Sequence, residues 1–166
     1  MGLLGLRVAI GFEFLWAFFD KTFGLGYATS SAHAWVNGGS PTTGFLSGVN
    51  VGPFQGIFNG IAGSGVVDWV FMLGLLGVGL ALILGVALRP AAIAGAAMLL
   101  LMYAASWPFA TIGGGQTTGS TNPVVDDHIV STMALVVIAA LAAWSVGPLS
   151  RRWAALPLVR SHSWLR

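Results

Sequence analysis

Ionisable side chains are rare in this sequence, and most of them interrupt or border apolar segments. Only 7% of its 166 residues are charged. An ionisable group near hydrocarbon is costly unless it is paired or hydrated, so each one is a candidate for function. The side-chain types offer proton exchange, ion pairing and hydrogen bonding to a polar substrate group. The candidates are Glu13, Asp20, Lys21, Asp68, Asp126, Asp127 and His128.

The composition indicates an integral membrane protein. Hydrophobic residues make up 56% of the chain and its mean hydropathy is +0.85, whereas a soluble domain carries about 25% charged residues. The formal net charge of +2 is too small and too scattered for nucleic-acid binding. Cysteine is absent, which excludes disulfides, thiolate metal sites and Cys-ligated iron–sulfur clusters. No metal-ligand spacing such as H-x-x-x-H occurs, so no metal site is predicted.

Four apolar runs predict an all-α, polytopic membrane protein, a single domain built as a bundle of four transmembrane helices. Each run is close to the roughly 20 residues that cross about 30 Å of hydrocarbon. Runs of this length are typical of helices, because backbone groups in lipid must be satisfied within the segment. The predicted helices are about 3–20, 66–88, 91–109 and 128–146, with outer loops 22–65 and 110–127 and a cytoplasmic tail 147–166.

The first run has an alternative interpretation as a secretory signal, because Ala32-His33-Ala34 resembles a small-residue cleavage site. Asp20 and Lys21 interrupt the approach to that site. We therefore expect the first run to be a transmembrane helix.

The arginines predict the orientation in the membrane, since basic residues are enriched in cytoplasmic connections. Arg7 lies near the start of the first helix, Arg89 lies between the second and third helices, and the remaining arginines lie in the tail. Both termini are therefore expected in the cytoplasm and both long loops outside. This topology brings every candidate except Glu13 to the outer face of the bilayer.

The first outer loop, residues 22–65, is predicted to be folded. It is rich in glycine but also carries aromatic residues such as Trp35, which a disordered linker does not need. We expect Ser30 or Ser31 to begin a short helix and Pro53 to begin another. The loop would then form a cap on the outer membrane surface.

Several outer candidates have a structural explanation beside a functional one. Asp68, Asp126 and Asp127 begin helices, where a carboxylate caps free N–H groups and gains about 0.3–1 kcal/mol from the helix dipole. His128 either exchanges protons near neutral pH beside Asp127 or is an interfacial histidine bonded to a carboxylate.

Lys21 is the only lysine. It either extends to the interface as a simple snorkelling side chain or forms an ion pair that ties helices together. The carboxylates considered for that pair are Asp20, Asp68 and Asp127.

Glu13 lies near the middle of the first helix, about one and a half turns from Arg7. A carboxyl group at that depth is protonated, paired or facing a polar pocket. Glu13 either fixes packing through a hydrogen bond across helices, or it serves as a proton relay or a polar contact for a quinone head group.

Four short sequence motifs, spread from the first helix to the start of the fourth, occur in an order that resembles a known family. They are Arg7 with Gly11 and Lys21, the loop run 35–46 (WVNGGSPTTGFL), the run 75–85 followed by Arg89, and Asn122-Pro123 leading into Asp126-Asp127-His128. Their order and spacing resemble the DoxX/DoxD family of small four-helix membrane proteins of bacteria and archaea. The resemblance covers essentially the whole chain. The loop run is more similar to DoxD, the large subunit of thiosulfate:quinone oxidoreductase, than to the shorter DoxX-like proteins.

The resemblance implies a subunit in a prokaryotic plasma membrane, where oxidation of an inorganic sulfur compound delivers electrons to quinone. Similar proteins are associated with terminal oxidases and oxidative-stress complexes, which implies membrane or peripheral redox subunits as partners. By position, the recurrent polar residues of the family correspond to Arg7, Lys21, Asp127 and His128.

Two main functions are open at the level of sequence. In the first, the chain belongs to a quinone-linked oxidoreductase and Lys21, Asp127 and His128 act in catalysis. The residues then expected to bind substrate or quinone are Arg7, Glu13, Asp20, Trp35 and Asp68. In the second, it is a non-catalytic accessory subunit of a larger respiratory or redox complex. A small-molecule carrier that couples to protons through Glu13 is a third possibility.

Overall fold

The computed structural model of the protein describes residues 2–109, 122–144 and 147–165. Within these ranges every regular element is a helix and no strand occurs, which confirms the predicted all-α class. The α-helices are α1 (Gly2–Phe23), α2 (Thr43–Ser47), α3 (Gln55–Ile61), α4 (Gly65–Leu84), α5 (Leu88–Ala105), α6 (Asp127–Ala140), α7 (Pro148–Ala155) and α8 (Pro157–Ser161). Short 3-10 turns cover Ser31–His33, Trp35–Asn37, Ala142–Trp144 and Ser163–Leu165.

Three helices are long and apolar enough to cross a bilayer. They are α1 with 22 residues, α4 with 20 and α5 with 18, and they confirm the prediction of a membrane protein. The helix α6 has 14 residues, so it is about 21 Å long against roughly 30 Å of hydrocarbon. Residues 145–146 of the predicted fourth span, and residues 110–121 of the predicted second loop, lie outside the described residues. The described chain thus contains three candidate spans rather than four.

The turn between α4 and α5 is set by a glycine. α4 ends at Leu84 rather than at residue 88, because Gly85 adopts a left-handed conformation with φ +74. The N–H groups of Gly85 and Val86 both donate to the carbonyl oxygen of Ala81, which closes the helix end. Pro90 falls in the first turn of α5, where its missing N–H costs little.

One face of α4 is apolar and exposed along its whole length. A soluble protein would bury such a face, whereas in a bilayer it contacts lipid chains. The exposed residues, spaced mostly three or four apart, are Val66, Trp69, Val70, Leu73, Leu80 and Leu84.

The long helices pack antiparallel to their neighbours, with glycines at the closest contacts. A methyl group on Gly11 of α1 would lie 3.1 Å from the carbonyl oxygen of Gly79 of α4, and one on Gly79 would lie 3.0 Å from that of Gly11. Small residues permit this close approach of helices in lipid. A methyl group on Gly95 of α5 would meet, within 3.2 Å, side chains from three other helices: Phe14, Val78 and Leu135.

The two ends of the bundle are closed differently, and we call them inner and outer after the predicted orientation. At the inner end, Arg89 ties the tail to the helices, since its Nη1 donates to the carbonyl oxygen of Ser163 at 3.0 Å and its Nε to that of Ala139 at 3.3 Å. At the outer end, α2 and α3 of the first loop pack around a small core of Leu46, Val49, Phe58 and Ala105.

Candidate functional site

The outer candidates lie at one end of the bundle, because α1 ends where α4 and α6 begin. They do not form a single site. Their contacts divide them into two loop anchors, a helix cap and the wall of a cavity. Each of these places is set by the element that carries the side chain.

Asp20 anchors the first loop to α1. Its side chain is only 2% exposed. One carboxylate oxygen accepts the backbone N–H of Tyr27 at 3.2 Å and the other accepts that of Ala28 at 2.9 Å. A buried carboxylate with such partners is satisfied within the fold. Asp20 is therefore explained by structure, without a substrate.

Asp68 anchors the same loop to α4. Its Oδ1 accepts the hydroxyls of Ser40 at 2.9 Å and Thr42 at 2.6 Å, and the backbone N–H of Thr42 at 3.1 Å. Asp68 stands in the first turn of α4 but is not its N-cap, which is Ser64. Asp68 therefore does not cap α4; it binds Ser40 and Thr42, which are far away in sequence.

The N-terminus of α6 carries the third group. Asp126 is the N-cap and accepts the backbone N–H of Ile129 at 3.0 Å. Nδ1 of His128 lies 2.7 Å from Oδ2 of Asp126 and 3.4 Å from Oδ1 of Asp127. Capping therefore explains Asp126, and His128 is bonded to the cap more closely than to Asp127.

The same contacts shift the acidity of the cap. Burial acts to raise the pKa of Asp126, but the hydrogen bonds from His128 and the N–H of Ile129 outweigh it, so this pKa lies below its ordinary value. Ligand atoms of Asp126, Asp127 and His128 lie within 4.8 Å of one another, which a metal ion could bridge. The cap and the ring contact already account for the arrangement, so it does not by itself indicate a metal site.

Lys21 does not pair directly with these carboxylates, although the charge of the adjacent Asp20 acts on it. Within the described residues it has no ion-pair partner closer than 4.0 Å, whereas Asp127 is paired with His128. Its Nζ lies 5.9 Å from the centre of the Phe71 ring, within the range of a cation–π contact. The expected pairs with Asp20, Asp68 and Asp127 are thus not formed.

Lys21 instead lines an apolar cavity of about 340 Å³ under the first loop. We call it the Lys21 cavity. Its described walls come from α1, α2, α3, α4, α5 and the segment before α2, and Lys21 is the one charged residue among the described lining residues. Val70 and Leu101 line it and are 67% and 61% exposed, so it opens on the lipid-facing side of α4 and α5.

Most of this lining could not be found from sequence. Its other members include Thr42, Phe45, Phe58, Phe71 and Met98. They come from separate elements, and no spacing links them. Thr42 and Phe45 belong to the loop run 35–46, but nothing in that run indicates a cavity, whereas Lys21 carried a signal as a lone ammonium group beside a long loop.

The remaining candidates lie elsewhere. Glu13 is exposed on α1, and both of its carboxyl oxygens accept the hydroxyl of Ser131 on α6, at 3.2 and 3.0 Å. It does not line the Lys21 cavity.

Arg7 is buried beside Gly85, where its guanidinium group packs against the α4–α5 turn. Trp35 packs edge-to-face on Trp69 with ring centres 4.6 Å apart.

Comparisons of this chain with protein-family models, with curated proteins and with solved structures found no match.

Proposed function

We propose that this chain is the membrane subunit of a quinone-linked oxidoreductase and that the quinone binds in the Lys21 cavity. The observation that carries the proposal is a lipid-accessible apolar cavity with one ammonium group in its wall. Its volume of about 340 Å³ falls within the roughly 300–1,000 Å³ of small-molecule sites.

A quinone matches this cavity in each of its parts. Its isoprenoid tail would extend into lipid through the opening beside Val70 and Leu101. Its ring would pack against aromatic side chains such as Phe71. Nζ of Lys21 would donate a hydrogen bond to a carbonyl oxygen and stabilise the negative charge that develops there during reduction.

We expect the electrons to come from a partner subunit, because this chain has no cysteine with which to bind an iron–sulfur cluster or to carry out thiol chemistry. The resemblance of the sequence motifs to the DoxX/DoxD family supports an inorganic sulfur compound such as thiosulfate as the electron donor. Asp127 is 87% exposed and His128 is beside it, so this pair is suited to exchange protons with water at the same end of the bundle.

A non-catalytic accessory subunit is the second candidate. It is favoured by the contacts of Asp20 and Asp68, which hold the loop and leave fewer polar groups for chemistry. In that role the Lys21 cavity would hold a structural lipid, and the outer loop would contact a larger respiratory or redox complex.

We further propose a four-span topology in a prokaryotic plasma membrane, with both termini in the cytoplasm. α6 packs against α5, as the contact of Gly95 with Leu135 and that of Arg89 with Ala139 indicate. α6 together with the following turn would cross the membrane. The arginines of the tail would then lie on the same side as Arg89.

The test is photolabelling of the purified protein in lipid nanodiscs with an azido-quinone. We expect the label on residues of the Lys21 cavity, with competition by unlabelled quinone. Lys21→Met keeps the length of the side chain but removes the ammonium group, and we expect roughly 10- to 100-fold weaker binding because a hydrogen bond to a charged group is lost. Lys21→Arg should retain most of the affinity.

Asp127→Asn is the matched control, because it changes a charge at the same end of the bundle outside the cavity. Labelling that is unaffected by Lys21→Met, or that falls on other helices, would refute the site. If a stable complex purified with its partners reduces quinone with thiosulfate and Lys21→Met leaves that rate unchanged, the accessory role is favoured.

A further inference from the structure

The middle of α1 carries an exposed carboxyl group. Glu13 is the twelfth residue from Gly2 in a helix of 22 residues, so it lies about 16 Å from either end. The neighbouring Phe12 is 57% exposed, and Glu13 itself is exposed. This face of the bundle is therefore open at the depth where a bilayer is driest.

Glu13 is only partly satisfied by its own chain. The one hydrogen-bond donor it has among the described residues is the hydroxyl of Ser131, which reaches both oxygens. It forms no ion pair with a described residue. A carboxyl group accepts more hydrogen bonds than one hydroxyl supplies, and lipid chains supply none.

We propose that this face of α1 and α6, centred on Glu13, is the docking site for a transmembrane helix of another subunit that carries a lysine or arginine at mid-membrane depth. Charge complementarity decides the kind of partner. Polar residues inside a membrane pair with one another, and a cation is the partner that satisfies an exposed carboxylate most completely. Exposed small residues, Gly5 and Ala9, let such a helix approach closely.

A second copy of this chain does not supply that cation. Of the basic residues in its long helices, Arg7 is buried against the α4–α5 turn and Lys21 lines the cavity. Arg89 donates to the carbonyl oxygens of Ala139 and Ser163. Two copies meeting at this face would bring Glu13 against Glu13 or against lipid-facing apolar residues.

The test uses a designed Leu/Ala transmembrane peptide of about 20 residues with one central lysine, and a matched peptide with a central leucine. The protein has no natural cysteine, so Gly2→Cys takes a single donor dye, and the peptides carry the acceptor. Energy transfer in lipid vesicles then reports association. We expect the lysine peptide to associate about tenfold more tightly than the leucine peptide.

Glu13→Gln should abolish this preference, because its amide oxygen still accepts the Ser131 hydroxyl while the charge is gone. Glu13→Asp should keep the preference. Equal association of both peptides with the wild-type protein would overturn the proposal, whatever the stability of the variants. An unchanged preference in Glu13→Gln would also overturn it. So would energy transfer between two labelled copies that is lost in Glu13→Gln, because it would place a second copy on this face.

Discussion

At the scale of single residues, the ionisable groups differ in whether the fold itself supplies their partners. Asp20 and Asp68 are buried and bonded to loop backbone and hydroxyl groups. Among the described residues, Lys21 contacts the ring of Phe71, and Glu13 accepts the hydroxyl of Ser131. Since an unsatisfied polar group in a membrane is costly, the second pair is the better place to look for ligands and partners.

Asp68→Ala should destabilise the protein by about 2–4 kcal/mol, because it leaves the buried N–H and hydroxyl of Thr42 without an acceptor. Thermal unfolding in one detergent would measure this as a lower midpoint. Asp127→Ala is the control: its carboxyl group is 87% exposed, so we expect it to lose at most about 1 kcal/mol, from the helix dipole and the contact with His128. Equal effects of the two substitutions would show that Asp68 does not anchor the loop.

The sequence predicted that every candidate except Glu13 lies at one end of the bundle, but it could not predict which groups each candidate contacts. The partners of Asp68 lie 26 and 28 positions earlier in the chain, and no periodicity encodes a loop that folds back. The capping prediction for Asp126 was confirmed by its bond to Ile129, because a cap depends only on residues within one turn.

At the scale of elements, glycines determine which helix faces pack together, because they have no side chain to hold two helices apart. Beyond Asp68 in its first turn, α4 is apolar all round, so its hydrophobic pattern does not say which face is buried. The contact face is decided by Gly79, which lies against Gly11, and by Gly74, where a methyl group would fall 2.6 Å from the sulfur of Met98. Nothing in the sequence says which of the many glycines meet across helices.

Gly79→Ala should separate α1 from α4, since its methyl group would lie 2.6 Å from Cγ of Leu15 and 3.0 Å from the carbonyl oxygen of Gly11. We expect a loss of about 1–3 kcal/mol, the usual cost of overpacking. Gly77→Ala is the matched variant on the same helix, where an added methyl group meets nothing within 4 Å. Thermal unfolding of the two variants should differ accordingly, and equal midpoints would refute the contact.

At the scale of the whole molecule, the length of the helix that each apolar run forms decided whether the predicted membrane span was found. Three runs form spans of 18 to 22 residues, and hydropathy alone finds such segments. The fourth run forms a helix of 14 residues and then a 3-10 turn before the apolar run ends. Hydropathy does not register such a break.

The proposed topology predicts opposite accessibility for two single cysteines. Tyr27→Cys lies in the first loop, where the side chain is 76% exposed, and should react with a membrane-impermeant maleimide on intact cells. Ser161→Cys in the tail should react only after permeabilisation. Reaction of Ser161→Cys from outside would mean that α6 does not cross the membrane or that the orientation is reversed.

The two loop anchors have a consequence for how the proposed quinone would enter the Lys21 cavity. Asp20 and Asp68 hold the loop to both flanking helices, so the loop covers the outer end of the cavity. The opening of the cavity lies on the lipid-facing side of α4 and α5. A solute then reaches the cavity at its concentration within the bilayer, not at its concentration in water. Apparent affinities expressed per litre of buffer would include the partition coefficient of the ligand. Ligands with different tails are therefore comparable only as mole fractions in lipid.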